Sequence, residues 1–207
     1  MGGSYGVRCF GVFQVFLASA AAVGLPGDGA AAPERVLVKV MNSASVSQSM
    51  LTQAEHSVTN IYHDIGVDVV WTETAPAEPT DRAVVIEIVS TARPDVSAKA
   101  MGVALRDSLT LSAQIAYVFY DRIKDIGLRS HYPVTAQILG AVIAHELGHL
   151  LLPYGSHSPT GLMRGEWNEY ELQGLNFSRL RFTALQGDLI RQRLACGDRA
   201  CAVSNEP

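Results

Sequence analysis

The sequence predicts an α/β (α+β) fold: about five strands in one sheet, an N-terminal helix, a strongly apolar central helix and a C-terminal helix. Three observations carry the prediction. Apolar, β-branched runs of strand length recur between residues 35 and 121. Two long segments, about Val46 to Ile65 and Val134 to Leu151, space their apolar residues as helices do. The chain has 207 residues, of which 48% are hydrophobic, enough to bury one sizeable core. The net charge of −4, without any Lys/Arg cluster, argues against a nucleic-acid partner.

Residues 1–32 stand apart from this pattern. Arg8 precedes an alanine-rich apolar run between Cys9 and Leu25, and small-residue sites such as Ala18-Ser19-Ala20 and Ala30-Ala31-Ala32 follow. This is the layout of a secretory signal peptide. A membrane anchor is the competing reading, but the run is near the lower limit for spanning a bilayer and is interrupted by Gly24 and Pro26. Residues 33–207 are therefore expected as one domain, secreted or extracytoplasmic, monomeric and without a stable membrane span once the signal is removed. Cys196 and Cys201 then remain as an even pair. A small C-terminal disulfide loop is the first reading of that pair, with free thiols or a metal pair as alternatives.

Arg35–Met41 (RVLVKVM) reads as the first strand. Asn42-Ser43 ends it, and Ser43 or Ser45 can cap the helix that follows. That helix carries an apolar stripe of Met50, Leu51, Ala54, Val58, Ile61 and Ile65, and Gly66 suits its C-terminus. Val67–Thr72 is the second strand, with the imperfect alternation of a strand covered on both faces. After the proline-rich loop Ala75–Asp81, Ala83–Ser90, Met101–Arg106 and Gln114–Asp121 read as strands three to five. Residues 122–133 fit either a short helix or a loop. Phe182-Thr183 looks like a staple and N-cap for a last helix, about Ala184 to Leu194. Trp71 and Trp167 read as packing residues.

The chemistry concentrates in residues 138–163, ILGAVIAHELGHLLLPYGSHSPTGLM. His145-Glu146-Leu147-Gly148-His149 is an H-E-x-x-H motif. Helix positions i and i+4 share a face, so both imidazoles can reach one metal ion. Neutral histidine nitrogen suits zinc, and a catalytic zinc takes three protein ligands and leaves one position open. Pro153 ends the helix near Leu152. The turn Pro153-Tyr154-Gly155, with Gly155 free to take positive φ, can carry His157 back as the third ligand. Glu146, next to the first ligand, is then placed as general base for water activated by the metal.

His145–His149, followed by His157-Ser158 and then Gly161-Leu162-Met163, resembles the metzincin clan of zinc peptidases, matrix metalloproteinases among them. That clan carries H-E-x-x-H-x-x-G-x-x-H, often with serine after the third histidine, and a later methionine turn. The resemblance implies a twisted mixed sheet with one antiparallel edge strand that binds peptide. Met101–Arg106 would be that strand, receiving substrate by β-augmentation. Met163 would be the Met-turn residue, and one catalytic zinc would serve a secreted endopeptidase acting on peptides or proteins. The chain departs from the pattern in one place: His157 follows His149 by eight residues where the clan has six, so the turn is two residues longer.

Thermolysin-like peptidases offer another ligand set, with a glutamate about twenty residues beyond the second histidine, and Glu169 stands at that distance. The His-Ser…Gly-Leu-Met context favours His157. An alternative of another class is a catalytically silent zinc domain that binds a peptide or protein along its edge strand.

Overall fold

In a computed structural model, residues 32–74, 82–106, 114–130, 133–168, 171–172 and 179–201 are described, the last six as backbone alone. All of them except Ala32 lie in the compact unit Pro33–Pro207. The elements in order are β1 (Glu34–Asn42), α1 (Gln48–His63), β2 (Val67–Thr72), β3 (Ala83–Val89), β4 (Gly102–Arg106), β5 (Gln114–Phe119), α2 (Tyr120–Arg129), α3 (Thr135–Leu151) and α4 (Ala184–Cys201). The architecture is a mixed α/β fold with one five-stranded sheet, as the strand and helix patterns predict.

The sheet order is β2-β1-β3-β5-β4. β1 pairs in parallel with β2 and β3, and β3 pairs in parallel with β5. β4 alone runs antiparallel, pairing with β5 from Gly102↔Val118 to Arg106↔Gln114. It is the last strand on its side, so one edge of its backbone is left without a strand partner in this sheet. Parallel pairing requires a crossover between strands, and α1 supplies the one between β1 and β2.

α3 is the buried centre of the molecule. All but three of its seventeen residues are buried, so it needs apolar side chains on every face rather than one stripe. It packs on α1 with the two backbones close together. A Cβ added at Gly140 would lie 2.8 Å from Ala54 O and 2.8 Å from Ser57 Cβ. The Tyr62 hydroxyl, fully buried on α1, donates to Ala144 O at 3.2 Å. That bond ties the two helices together one residue before the H-E-x-x-H motif. β4, β5 and α2 cover other sides of α3.

Three boundaries differ from the sequence reading. The fifth strand stops at Phe119, and α2 begins at the next residue, so the ambiguous 122–133 segment is helical as far as Arg129. α1 is capped from Ser47, with no side-chain cap bond. The Asn42 side chain closes the turn before it instead, accepting from Val46 N and donating to Val46 O. α4 continues past Leu194 to Cys201, so Cys196 and Cys201 sit in a helix rather than a loop. Gly197 is the one strong helix-weakening residue there, and its cost of about 1 kcal/mol does not stop the helix. The side chains of that pair, and with them the disulfide, lie outside the described residues, as do the leader and the proline-rich loop. Among the described residues, no helix is long and apolar enough to cross a membrane.

Candidate metal centre

α3 carries His145 and His149 one turn apart, and their rings meet edge to face with centroids 4.6 Å apart. Leu152 leaves the helix in an extended conformation before Pro153. Gly155 takes φ +72° with open space around it, so only its backbone conformation asks for glycine. The chain returns, and His149 Nε2 lies 3.0 Å from both His145 Nε2 and His157 Nε2. One ligand atom from each of the three residues lies within 4.8 Å of the others. Ligand nitrogens on a tetrahedral ion with bonds of about 2.0–2.1 Å sit about 3.3 Å apart, so the three nitrogens are near coordination spacing.

On His145 and His149 the outer ring nitrogen has a partner away from the centre. Leu162 O can only accept, so the His145 Nδ1–H donates to it at 2.8 Å and leaves the Nε2 lone pair facing inward. His149 Nδ1 lies 3.1 Å from Ser156 Oγ, which lets it do the same. Such outer partners set the tautomer and orientation of ligating histidines. Burial pushes His145 down to about 4, and the nearby His157 adds to this against the opposing Leu162 bond. Burial, then His145 and His157, push His149 down to about 3. Burial and the neighbouring imidazoles thus keep His145 and His149 neutral, as a metal ligand must be. Burial is graded: His145 is buried, His149 half-buried and His157 exposed. The centre therefore opens to solvent on the His157 side.

Glu146 follows His145 on the same helical turn. Its side chain is buried and rests on the edge strand, where a Cβ at Gly102 would fall 2.6 Å from Glu146 Oε1. Glycine at 102 is what makes room for this carboxylate. Burial raises Glu146 to about 8.

Met163 is fully buried against the same helical turn. A Cβ at Gly148 would lie 2.6 Å from Met163 Sδ and 3.0 Å from Phe182 Cε1. The loop carrying His157 and Met163 is closed on itself by Ser158 N donating to Met163 O at 2.8 Å. It is fastened to the chain before α4 by Leu162 N donating to Arg181 O at 2.9 Å. The approach is so close that a Cβ at Gly161, which has φ +78°, would lie 2.6 Å from Arg181 O. Thr183 and Gln186 cap α4 reciprocally, and the Gln186 amide also donates to Ser158 Oγ at 3.3 Å.

An open cleft of about 940 Å³ runs past the centre, between residues 98–105, which lead into and along the edge strand, and the 164–167 segment after Met163. Lys99 and Glu166 join its two walls through an ion pair at 3.1 Å. Arg122 of α2 holds the strand side, donating to Ser97 O and Ala100 O.

His145, His149 and His157, which the motif and its turn single out, are thus brought together, with Glu146 on the same helical turn and Met163 packed against it. Glu169 lies outside the described residues. Several residues that shape the centre were not singled out by the motif: Gly102, Gly148, Ser156 and Trp167. Gly148 had a signal, because a glycine inside an otherwise strong helix marks a close approach. Trp167 is more than packing, since its indole N–H donates to Leu162 O at 3.2 Å. No protein-family model matches the chain, and no curated protein is similar to it.

Proposed function

We propose that the protein is a zinc-dependent endopeptidase of metzincin type, exported by its leader and acting on peptides or unfolded protein chains. The observation that carries the reading is the convergence of three histidine nitrogens beside the buried carboxylate of Glu146, at the wall of an open cleft. Three imidazole donors with an open fourth position suit catalytic zinc better than a closed structural site. His145, His149 and His157 would hold the ion. Zinc, when bound, is a Lewis acid that acidifies water and polarises a carbonyl.

The chain's own residues supply the rest. Glu146 accepts the proton from the attacking water and returns it to the leaving amine. Its seat against Gly102 puts that carboxylate next to the edge strand. β4 offers its free edge to an extended peptide, whose backbone would pair with it and bring a scissile carbonyl alongside Glu146.

The test is zinc content and cleavage of an unfolded protein by the purified chain. One zinc per chain is expected, with cleavage abolished by a chelator. Glu146→Gln should keep the zinc and lose cleavage by about 10²–10⁴-fold. Unimpaired cleavage by that variant would overturn the role of Glu146. A zinc-loaded chain that cleaves nothing in a broad peptide library would support a peptide-binding domain instead.

A further inference from the structure

We propose that Trp167 is a positioning residue of the three-histidine centre: it fixes the carbonyl that orients His145. The inference rests on the metal-site reading above. Leu162 O receives two donors, His145 Nδ1–H at 2.8 Å and Trp167 Nε1–H at 3.2 Å. A carbonyl oxygen has two lone pairs, so neither donor displaces the other. The other polar end of the same residue is also held, by Arg181 O. The indole therefore completes the fastening of Leu162, whose carbonyl direction decides where His145 points.

Trp167 acts on the ring as well. It stands edge-on to His145, centroids 5.4 Å apart and planes at 88°. This is a favoured aromatic geometry, and it restrains rotation of the imidazole plane. Two independent contacts thus converge on one ligand: one on its hydrogen-bond acceptor, one on its ring.

Removal of the indole N–H leaves Leu162 O satisfied by His145. The loss should therefore appear in the orientation of the ligand and hardly at all as a buried unsatisfied group. Trp71 is the natural control. It also makes one indole hydrogen bond, to Thr59 Oγ1 at 3.1 Å, but on the α1–β2 side of the molecule, among no residue of the histidine centre.

Zinc affinity of the purified chain is measured by competition with a chromophoric chelator. Trp167→Phe should weaken it about tenfold, the low end of the loss seen when outer partners of a ligand are removed. Trp71→Phe should leave it unchanged. Equal zinc affinity in Trp167→Phe and wild type overturns the inference, as does an equal loss in Trp71→Phe.

If Trp167→Phe does not fold, the Trp71→Phe chain still decides, because Trp167 is then its one tryptophan. Cobalt(II) added to that chain should quench its emission, and unchanged emission with cobalt bound overturns the geometry. A wild-type chain that binds neither zinc nor cobalt sinks the metal reading itself, and this inference with it.

Discussion

The two halves of the metal centre are built in different ways. His145 and His149 share a buried helix, and their separation follows from helical pitch alone. His157 stands on an irregular loop, exposed, and reaches the others only because distant contacts hold that loop. Ser158 N closes the loop on Met163 O, Leu162 N ties it to Arg181 O, and Gly148 lets Met163 press into the helix. A regular element thus supplies a ligand pair cheaply from local structure. The third ligand depends on a chain of contacts that joins the loop to α3 and to the segment before α4.

That contrast can be broken first at Gly161. Alanine there is strained at φ +78° and meets Arg181 O at 2.6 Å. Gly161→Ala should lose about 3 kcal/mol of stability in denaturant unfolding, and its zinc affinity should fall with the displaced His157. Gly155→Ala tests the same loop with strain alone, since nothing lies within 4 Å of its Cβ. Its cost should be only about 1–2 kcal/mol. Wild-type zinc affinity in Gly161→Ala would show that the loop tolerates movement and that the contrast is wrong.

Gly148 comes next, because it joins the two halves. Gly148→Ala places a Cβ 2.6 Å from Met163 Sδ and should cost about 1–3 kcal/mol by overpacking, read from thermal unfolding. A stability equal to wild type would mean that Met163 has other room to occupy.

Acid and base should separate the helix residues by sign. His145 at about 4 and His149 at about 3 lie below the ordinary imidazole value, so the unfolded chain binds their protons first. Stability is then lost as pH falls below about 6.5, down to about 4 for His145 and about 3 for His149. Glu146 at about 8 lies above the ordinary carboxyl value, so the folded chain keeps its proton longer. Stability from that group is present at low pH and lost as pH rises through about 8. Between about 4.5 and 6.5 two histidines oppose one carboxyl, and above 6.5 the carboxyl acts alone. The chelated protein should therefore be most stable near pH 6.5 in a series of urea titrations. A maximum below pH 5 would show that the histidines are not held neutral.

The smallest effect belongs to the exposed bridge across the cleft. Lys99 and Glu166 keep 74% and 66% of their side-chain surface in water. Lys99→Ala should shift stability by less than about 0.5 kcal/mol, measured by the same unfolding series. A larger loss would mean that this pair contributes more than an exposed bridge does.

Much of the fold was legible in the amino-acid order because its signals are local. Alternating and continuous apolar runs mark the five strands, and the 3.6-residue period marks α1 and α3. The spacing of His145 and His149, the end of α3 at Leu152 before Pro153 and the positive φ of Gly155 all follow from neighbouring residues. The start of α2 at Tyr120 was not legible, because a tyrosine after an apolar strand continues either element equally well. Nor did any local rule predict that Gly102 would cradle Glu146 or that Trp167 would share a carbonyl with His145. Those contacts join residues from separate elements, and only the tertiary structure brings them within reach. The delivery of His157 belongs to the same class: its turn is written in the sequence, but its position is decided by Arg181, Gln186 and Met163, which hold the loop against the helix.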